Sequence, residues 1–150
     1  MNRDWFEGWP GQYRRMLRWR DRLSEVYGSD DTNTIYDFIY AFFQSCYHLR
    51  DWLVSDNVAT KEEITALFNS SIELQLCRDI CNATKHLQYN TPSIDPRPRI
   101  GKEWDPWKKE SYGLYLYSDK RRPISELVHE CVTTWDKFLD EKGLKEKLTT

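Results

Sequence analysis

The fold is decided by the stretch TIYDFIYAFFQSCYHLRDWLVS, residues 34–55. Its apolar residues recur at helical spacing, so they predict a long helix that begins after an N-cap at Asp31 or Thr32 and ends near Ser55. The apolar stripe consists of Ile35, Phe38, Phe42, Leu49 and Leu53, with Ile39 and Cys46 at its edge. A second, aromatic side carries Tyr36, Tyr40, Phe43 and Tyr47. A helix with two apolar sides is either enclosed by other helices or presents one side to a partner subunit.

The remainder of the chain shows four further helical patterns. Apolar residues recur at helical spacing in residues 10–28, 64–68, 71–89 and 123–143. Pro10 and Pro123 suit the first turn of a helix, where the backbone N–H has no helical partner. Thr60 and Glu63 have the spacing of a capping box, which starts a short helix. We therefore predict an all-α bundle of four to five helices in a single domain, residues 1–150.

The segment between the last two predicted helices has a different composition. NTPSIDPRPRIGKEWDPWKK, residues 90–109, holds four of the six prolines and predicts a long loop rich in proline and tryptophan. YGLYLYS, residues 112–118, is typical of a β-strand and precedes the turn-like SDKRRP. A small β-hairpin before the last helix is therefore an open alternative to a continuous loop. We expect the tail after Gly143 to be frayed.

Composition and charge restrict the class of function. The 150 residues carry a net charge of −2, so there is no overall basic field of the kind that drives indiscriminate nucleic-acid binding. Basic residues nevertheless cluster at Arg14, Arg15, Arg18, Arg20 and Arg22 and again at Lys120, Arg121 and Arg122. These clusters are either solvated faces paired with nearby acids or, for the first helix, a nucleic-acid surface. The chain lacks a run of about 18 apolar residues, so we expect a cytoplasmic protein without a membrane partner.

The four cysteines, Cys46, Cys77, Cys81 and Cys131, each lie in an apolar helical context. Cys77 and Cys81 are four residues apart, and no CxxC pair occurs. Such spacing favours small buried hydrophobic residues in a reducing compartment over disulfides or a zinc site. We therefore expect neither a bound metal nor any other cofactor.

A polar band accompanies the apolar stripe of CRDICNATKHLQ, residues 77–88. On a helical projection the band contains Gln75, Asp79, Asn82 and His86, with Arg78 and Lys85 on its flank. The helix at 34–55 has a matching band of Asp37, Gln44, His48 and Asp51. If the apolar stripes of the two helices pack together, we expect the polar bands to meet at the edge of the core.

Polar groups at the edge of a core either form hydrogen bonds with one another or belong to a binding or catalytic site. Three interpretations of these residues are open. One is a satisfied network in which an aspartate orients a histidine and fixes the register of the bundle. A second is a metal site with the ligands His48, Asp51, Asp79 and His86. A third is catalysis, in which histidine transfers protons, aspartate sets its tautomer, asparagine donates a hydrogen bond and arginine stabilises anionic charge. Those groups suit cleavage of RNA by its own 2′-hydroxyl, which requires no cofactor.

The segment NATKH, from Asn82 to His86, resembles the end of the R-N-x-x-x-H signature of the HEPN superfamily. FFQSCYHLRDWL, CRDICNATKHL and ISELVHECVTTWDKFL are also similar to segments of uncharacterised bacterial HEPN-like proteins. The resemblance implies a short α-helical bundle. Many members of that superfamily are metal-independent endoribonucleases of toxin–antitoxin, CRISPR and phage-defence systems. The resemblance also implies a homodimer, in which two motifs form one RNA-cleaving groove at the interface.

Together with the two polar bands, the resemblance leads us to predict a catalytic site made of His86, Asn82, Asp79, Arg78, His48 and Asp51, the last two completing it from the helix at 34–55. In that site His86 is the general acid and base, Asn82 positions the phosphate or the histidine, and Asp79 orients a histidine. One position departs from the signature, because Cys81 stands where arginine is expected and Arg78 lies one turn earlier. Either Arg78 takes over the stabilisation of anionic charge, or the ribonuclease activity is lost.

Two functions follow from these observations. The first is an RNA-cleaving or RNA-binding effector of bacterial defence or of a toxin–antitoxin pair, with RNA or a nucleotide as ligand and a cognate antitoxin as partner. The alternative is a catalytically inactive HEPN-like module for binding or dimerisation. Such a module would hold a nucleotide, a partner protein or its own copy through the aromatic side of the helix at 34–55 and through Trp104, Trp107, Tyr112 and Tyr115.

Overall fold

The computed structural model describes residues 7–28, 31–85, 98–105 and 111–149. Within these ranges lie five α-helices: α1 (Trp9–Val26), α2 (Thr32–Ser55), α3 (Lys61–Asn69), α4 (Ile72–Lys85) and α5 (Ile124–Glu141). Three strands, β1 (Arg99–Asp105), β2 (Ser111–Tyr117) and β3 (Arg121–Pro123), form an antiparallel sheet in that order. The predicted, mostly helical fold is confirmed, and the open alternative of a hairpin before the last helix is present as β2 and β3, which β1 extends to a three-stranded sheet.

α2 is the central helix, and its packing explains the arrangement of the others. It contacts α1, α4 and α5. Seven of its side chains are at most 1% exposed: Ile35, Ile39, Phe42, Phe43, Cys46, Leu49 and Leu53. α2 is therefore enclosed, with Ile39 and Cys46 inside the core rather than at its edge, whereas Phe38 is only partly buried. Asp31 caps the helix as predicted, because its carboxylate accepts a hydrogen bond from the backbone N–H of Thr34 at 3.3 Å.

The start of α1 is held against the end of α2. Gly8, the N-cap residue, has no side chain to cap the helix, so the carboxylate of Asp56 accepts the hydrogen bond from the backbone N–H of Trp9 at 2.6 Å. Gly8 has φ 66°, and a side chain there would also collide with the Asp56 carboxylate. Further along α1, the buried side chain of Gln12 donates to the carbonyl of Ser45 at 2.9 Å. These bonds fix the position of α1 on α2.

Local signals set the starts of the three remaining helices. Thr60 and Glu63 form the predicted capping box of α3, each side chain bonded to the other residue's backbone N–H at 3.1 Å. The hydroxyl of Ser71 accepts a hydrogen bond from the backbone N–H of Leu74 at 3.3 Å and so caps α4. Pro123 is the N-cap of α5, one residue earlier than the predicted first-turn position.

The segment 99–105 forms β1, although the sequence predicts a loop there. β1 pairs with β2 along its whole length. Pro98 and Pro106 bracket the segment, and it has few apolar residues, so its strand conformation depends on the partner strand rather than on a local signal. Leu114 and Leu116 of β2 are buried and anchor the sheet to the helical core. The rest of the predicted loop, 90–97 and 106–110, lies outside the described residues.

The C-terminal tail is folded as far as residue 149, whereas the sequence predicts fraying. α5 is followed by Gly143, which has φ 69°, as a helix-ending glycine should. Lys145–Leu148 form a 3₁₀ helix. The side chain of Leu144 is 8% exposed, and Arg14 Nη2 donates to the carbonyl of Leu148 at 3.3 Å. Burial of Leu144 and this contact with α1 hold the tail in place.

Asp56→Ala tests the connection between α1 and α2. We expect the free energy of unfolding to fall by about 1–2 kcal/mol, because the substitution removes a charged acceptor from the N-terminus of a helix. Denaturant unfolding followed by circular dichroism measures the change. Asp140→Ala is the control, since Asp140 is exposed on α5, and should change stability by less than about 0.5 kcal/mol. Equal stability of the two variants would contradict the role of Asp56.

Candidate functional site

α4 presents the predicted polar residues at different depths. Asp79 is 1% exposed, whereas Arg78 and Asn82 are partly exposed and lie one helical turn apart on the same side. Gln75 donates a hydrogen bond of 2.8 Å to a carbonyl at the end of α3, so it connects the two helices. His86, the predicted general acid and base, lies outside the described residues. The described part of the band therefore has Arg78 and Asn82 near the surface and Asp79 inside.

The α2 residues of the predicted site face solvent. His48 and Asp51 are exposed, and no hydrogen bond or ion pair joins either of them to α4 within the ranges that the structure describes. Asp51 instead lies beside Arg50, with 3.5 Å between Arg50 Nε and Asp51 Oδ1. The structure thus does not connect the two predicted polar bands by direct bonds between these side chains.

Tyr47 lies where α2, α3 and α4 meet. It is 8% exposed, and its ring meets the ring of Phe68 edge to face, with 6.0 Å between the centroids. The guanidinium carbon of Arg50 lies 4.2 Å from the centre of the Tyr47 ring, and that of Arg78 lies 5.5 Å from the centre of the Phe68 ring. Both distances are within the range of cation–π attraction. We call these four residues, Tyr47, Arg50, Phe68 and Arg78, the arginine–aromatic edge.

Burial keeps the hydroxyl of Tyr47 protonated. Burial raises the pKa of Tyr47. The positive charges of Arg50 and Arg78 offset part of this rise, whereas Cys81 and Asp51 add to it. The phenol is therefore a hydrogen-bond donor at neutral pH. The Nε atom of Arg50 is buried, and the Asp51 carboxylate, 3.5 Å away, pairs with it without forming a hydrogen bond of normal geometry.

Sequence reasoning missed Arg50, although a signal was present. Arg50 follows Phe43 by seven residues and Cys46 by four, so helical spacing places it on the buried side of α2. A charged residue in an apolar stripe indicates a specific partner or a site, because unpaired burial of charge is unfavourable. The predicted polar band of His48 and Asp51 instead lies on the exposed side of α2.

Cys81, at the position of the arginine in the R-N-x-x-x-H signature, is 7% exposed. A buried thiol gives this turn of α4 no cationic surface group. Arg78, one turn before Asn82, is the cationic side chain that α4 presents within the described residues. The side chain of Lys85 lies outside them.

Three cysteines converge in the centre of the core. Cys46 of α2, Cys77 of α4 and Cys131 of α5 are fully buried, and their sulfur atoms all lie within 4.8 Å of one another. We call these three residues the cysteine cluster. The thiol of Cys77 donates to the carbonyl of Phe43 and that of Cys131 to the carbonyl of Glu73, both at 3.4 Å. The predicted burial is confirmed; the convergence was not predicted, because it depends on how three helices pack.

The cysteine cluster holds one negative charge more readily than two. Burial disfavours a thiolate, but the neighbouring polar groups of Cys131, Cys77 and Trp135 outweigh it at Cys46 and lower the pKa of that thiol to about 5. Burial and the neighbouring sulfur of Cys46 raise the pKa of Cys77 and of Cys131 well above the usual value of a thiol. The three groups therefore titrate as a unit rather than independently.

In the described residues, arginines of the other basic patches form ion pairs or ring contacts with neighbouring side chains. Ion pairs join Arg14 to Glu7, Arg20 to Asp21, Arg121 to Glu103 and Arg122 to Asp119. The guanidinium of Arg121 also lies 4.4 Å from the ring centre of Tyr115. The side chains of Trp104, Trp107 and Tyr112 lie outside the described residues. These pairs agree with the interpretation of the two basic clusters as solvated faces.

No protein-family model, no curated protein and no solved structure matches this chain. None of the described helices combines the length and the hydropathy that a membrane span requires. The chemistry that the described residues offer is cationic and aromatic at the edge of α2 and α4, and sulfur-based in the core.

Burial of all four cysteines predicts slow reaction with thiol reagents. In the native protein at neutral pH, we expect a charged aromatic disulfide reagent to modify fewer than about one thiol per chain within minutes, because reaction requires local opening. After unfolding in guanidinium chloride, all four thiols should react. The absorbance of the released chromophore measures both values. One rapidly reacting thiol in the native protein would contradict the packing of the core.

Proposed function

We propose that this chain is a HEPN-like RNA-binding effector with metal-independent endoribonuclease activity, of the bacterial defence or toxin–antitoxin type. The arginine–aromatic edge is the observation that supports it. Two guanidinium groups, one from α2 and one from α4, lie against neighbouring aromatic rings, and Asn82 lies one turn beyond Arg78. A homodimer and a cognate antitoxin belong to the same proposal.

The arginine–aromatic edge has the chemistry of a phosphate site. A guanidinium group binds phosphate oxygens through two parallel N–H donors, and it remains charged throughout the physiological pH range. Arg50, whose side chain is 35% exposed, contributes a guanidinium group, and the hydroxyl of Tyr47 is protonated. Arg78 is partly exposed beside them. Because the net charge of the chain is −2, attraction to RNA is confined to this local surface.

The proposed reaction is attack of an RNA 2′-hydroxyl on the adjacent phosphate with departure of the 5′-oxygen. In the homodimer, one copy of His86 removes the proton of the 2′-hydroxyl and the other protonates the leaving oxygen. Asn82 donates a hydrogen bond to a phosphate oxygen, and Arg78 stabilises the additional negative charge of the transition state. Asp79, buried two turns before His86, orients the histidine.

The exposed residues of α2 have a secondary role in this proposal. His48 and Asp51 lie on the solvent side of the helix that also carries Arg50. We assign them to contacts with the RNA chain rather than to proton transfer at the reacting phosphate. Their substitution should therefore weaken substrate binding more than it slows the chemical step.

A catalytically inactive module is the second candidate, and the burial of Cys81 favours it. A thiol in place of the signature arginine cannot stabilise the charge of a phosphate in the transition state. In that case the same surface binds a nucleotide, an antitoxin or a second copy of the chain. Tyr36 and Tyr40, partly exposed on α2 with stacked rings 6.5 Å apart, offer it an aromatic contact.

Arg50→Met and Arg78→Met test the binding of RNA. Each substitution removes the charge but keeps an aliphatic side chain of similar length, so we expect about tenfold weaker binding of a single-stranded RNA. The log–log dependence of affinity on salt should lose about one unit of slope per phosphate contact removed. Fluorescence anisotropy at several salt concentrations measures both quantities. Lys137→Met is the control, because Lys137 is exposed on α5; an equal loss in this variant would indicate general charge attraction and contradict the site.

His86→Ala tests catalysis, with labelled RNA and EDTA in the assay. We expect cleavage to be slower by about 100-fold or more, the usual effect of removing a general acid or base. Absence of cleavage by the unmodified protein, or equal cleavage by both proteins, contradicts the enzymatic proposal. Binding of RNA without cleavage supports the inactive module. Light scattering should show a dimer, and a monomer would rule out the composite groove.

A further inference from the structure

The cysteine cluster brings three metal-ligand groups from three helices to one point. Its sulfur atoms all lie within 4.8 Å of one another, and each residue is fully buried. Three sulfurs around a trigonal ion stand about 4 Å apart, given a metal–sulfur bond of about 2.3 Å. The helices therefore already hold the sulfurs near the spacing that a metal requires. We propose that Cys46, Cys77 and Cys131 form a binding site for one soft metal ion, Cu(I).

The donor set selects the kind of ion. Thiolate ligands favour Cu(I), Zn(II) and iron–sulfur clusters, whereas Mg(II) and Ca(II) require oxygen ligands. Structural zinc sites almost always have four protein ligands. Among the described residues no fourth histidine, cysteine, aspartate or glutamate joins the group. Three sulfurs without a fourth donor match the trigonal coordination that Cu(I) accepts.

Trp135 provides an independent observation at the same point. Its indole Nε1 is buried and makes no hydrogen bond of normal geometry within the described ranges. Trp135 lies one helical turn after Cys131 on α5, on the same side of that helix as the cysteine cluster. A buried donor without an acceptor is unfavourable. A metal-bound sulfur of Cys46 carries more negative charge than a neutral thiol, so it is an acceptor suited to this N–H.

The helices hold the three sulfurs within 4.8 Å of one another before any ion binds. In the metal-free protein the thiols of Cys77 and Cys131 donate to backbone carbonyls, and these protons leave as metal–sulfur bonds form. Because the cluster is fully buried, the ion enters during folding or through local opening of the core. Once bound, it stabilises the native state by mass action.

Titration of the full chain with Cu(I) under anaerobic conditions, in competition with a chromogenic Cu(I) chelator, tests the site. We expect one equivalent to bind to the unmodified protein. Cys46→Ala, Cys77→Ala and Cys131→Ala should each weaken Cu(I) binding by more than about 100-fold. Loss of a residue that only hydrogen-bonds a metal ligand weakens binding by about 10- to 100-fold. Cys81→Ala is the matched control, since this buried thiol lies one turn from Cys77 and outside the cluster. No stoichiometric binding, or equal affinity of all four variants, would overturn the proposal.

X-ray absorption at the copper edge of the unmodified protein keeps the test decisive if a cluster variant does not fold. Three sulfur neighbours support the site, and two sulfurs or any nitrogen or oxygen ligand overturn it. Thermal unfolding adds a second measure, because Cu(I) should raise the Tm of the unmodified protein and of Cys81→Ala alike. Tighter binding of Zn(II) than of Cu(I) in a parallel titration would overturn the choice of metal. These outcomes are independent of RNA binding and cleavage.

Discussion

The arrangement of this protein depends on burying the apolar sides of α2, which leaves one polar side in solvent. Seven of its side chains are at most 1% exposed, and full burial of each large apolar side chain contributes about 1.5–3 kcal/mol relative to exposure. A helix with this composition is not stable at a surface, so α1, α4 and α5 pack around it. Each later element is then placed by its contact with α2 or with a helix that touches α2. The positions of the candidate functional side chains follow from the same packing.

Enclosure of α2 has a chemical consequence, because its buried side is not entirely apolar. Cys46 is compact and lies among the sulfurs of the core, whereas Arg50, one turn later, reaches the edge and packs against Tyr47. The aliphatic stem of an arginine can be buried while its guanidinium group remains near solvent. One side of one helix therefore supplies a thiol to the interior and a cation to the surface. This is why the cysteine cluster and the arginine–aromatic edge lie so close together.

Local sequence signals predicted the helical part of the fold, because helix caps act over a few residues. Asp31 and Thr60 cap the helices that their positions predict. The signals failed where stabilisation comes from distant partners: β1 depends on pairing with β2, and the cysteine cluster depends on the packing of three helices. A helical projection gives the direction of a side chain but not the depth of what covers it. For that reason His48 is exposed and Asp79 is buried, although both were drawn on matching polar bands.

The register between α2 and α4 connects the two candidate sites. The thiol of Cys77 donates to the carbonyl of Phe43 and thereby sets the level of α4 on α2. Arg78 is the next residue, and the rotation of about 100° per residue turns it from that contact toward the ring of Phe68. A shift of Cys77 along α2 would displace Arg78 from the arginine–aromatic edge by a similar distance, because adjacent residues of a helix move together. An ion held by the cysteine cluster would fix Cys77 against α2 without occupying the edge. The contacts that stabilise the core therefore also determine where the surface cation lies.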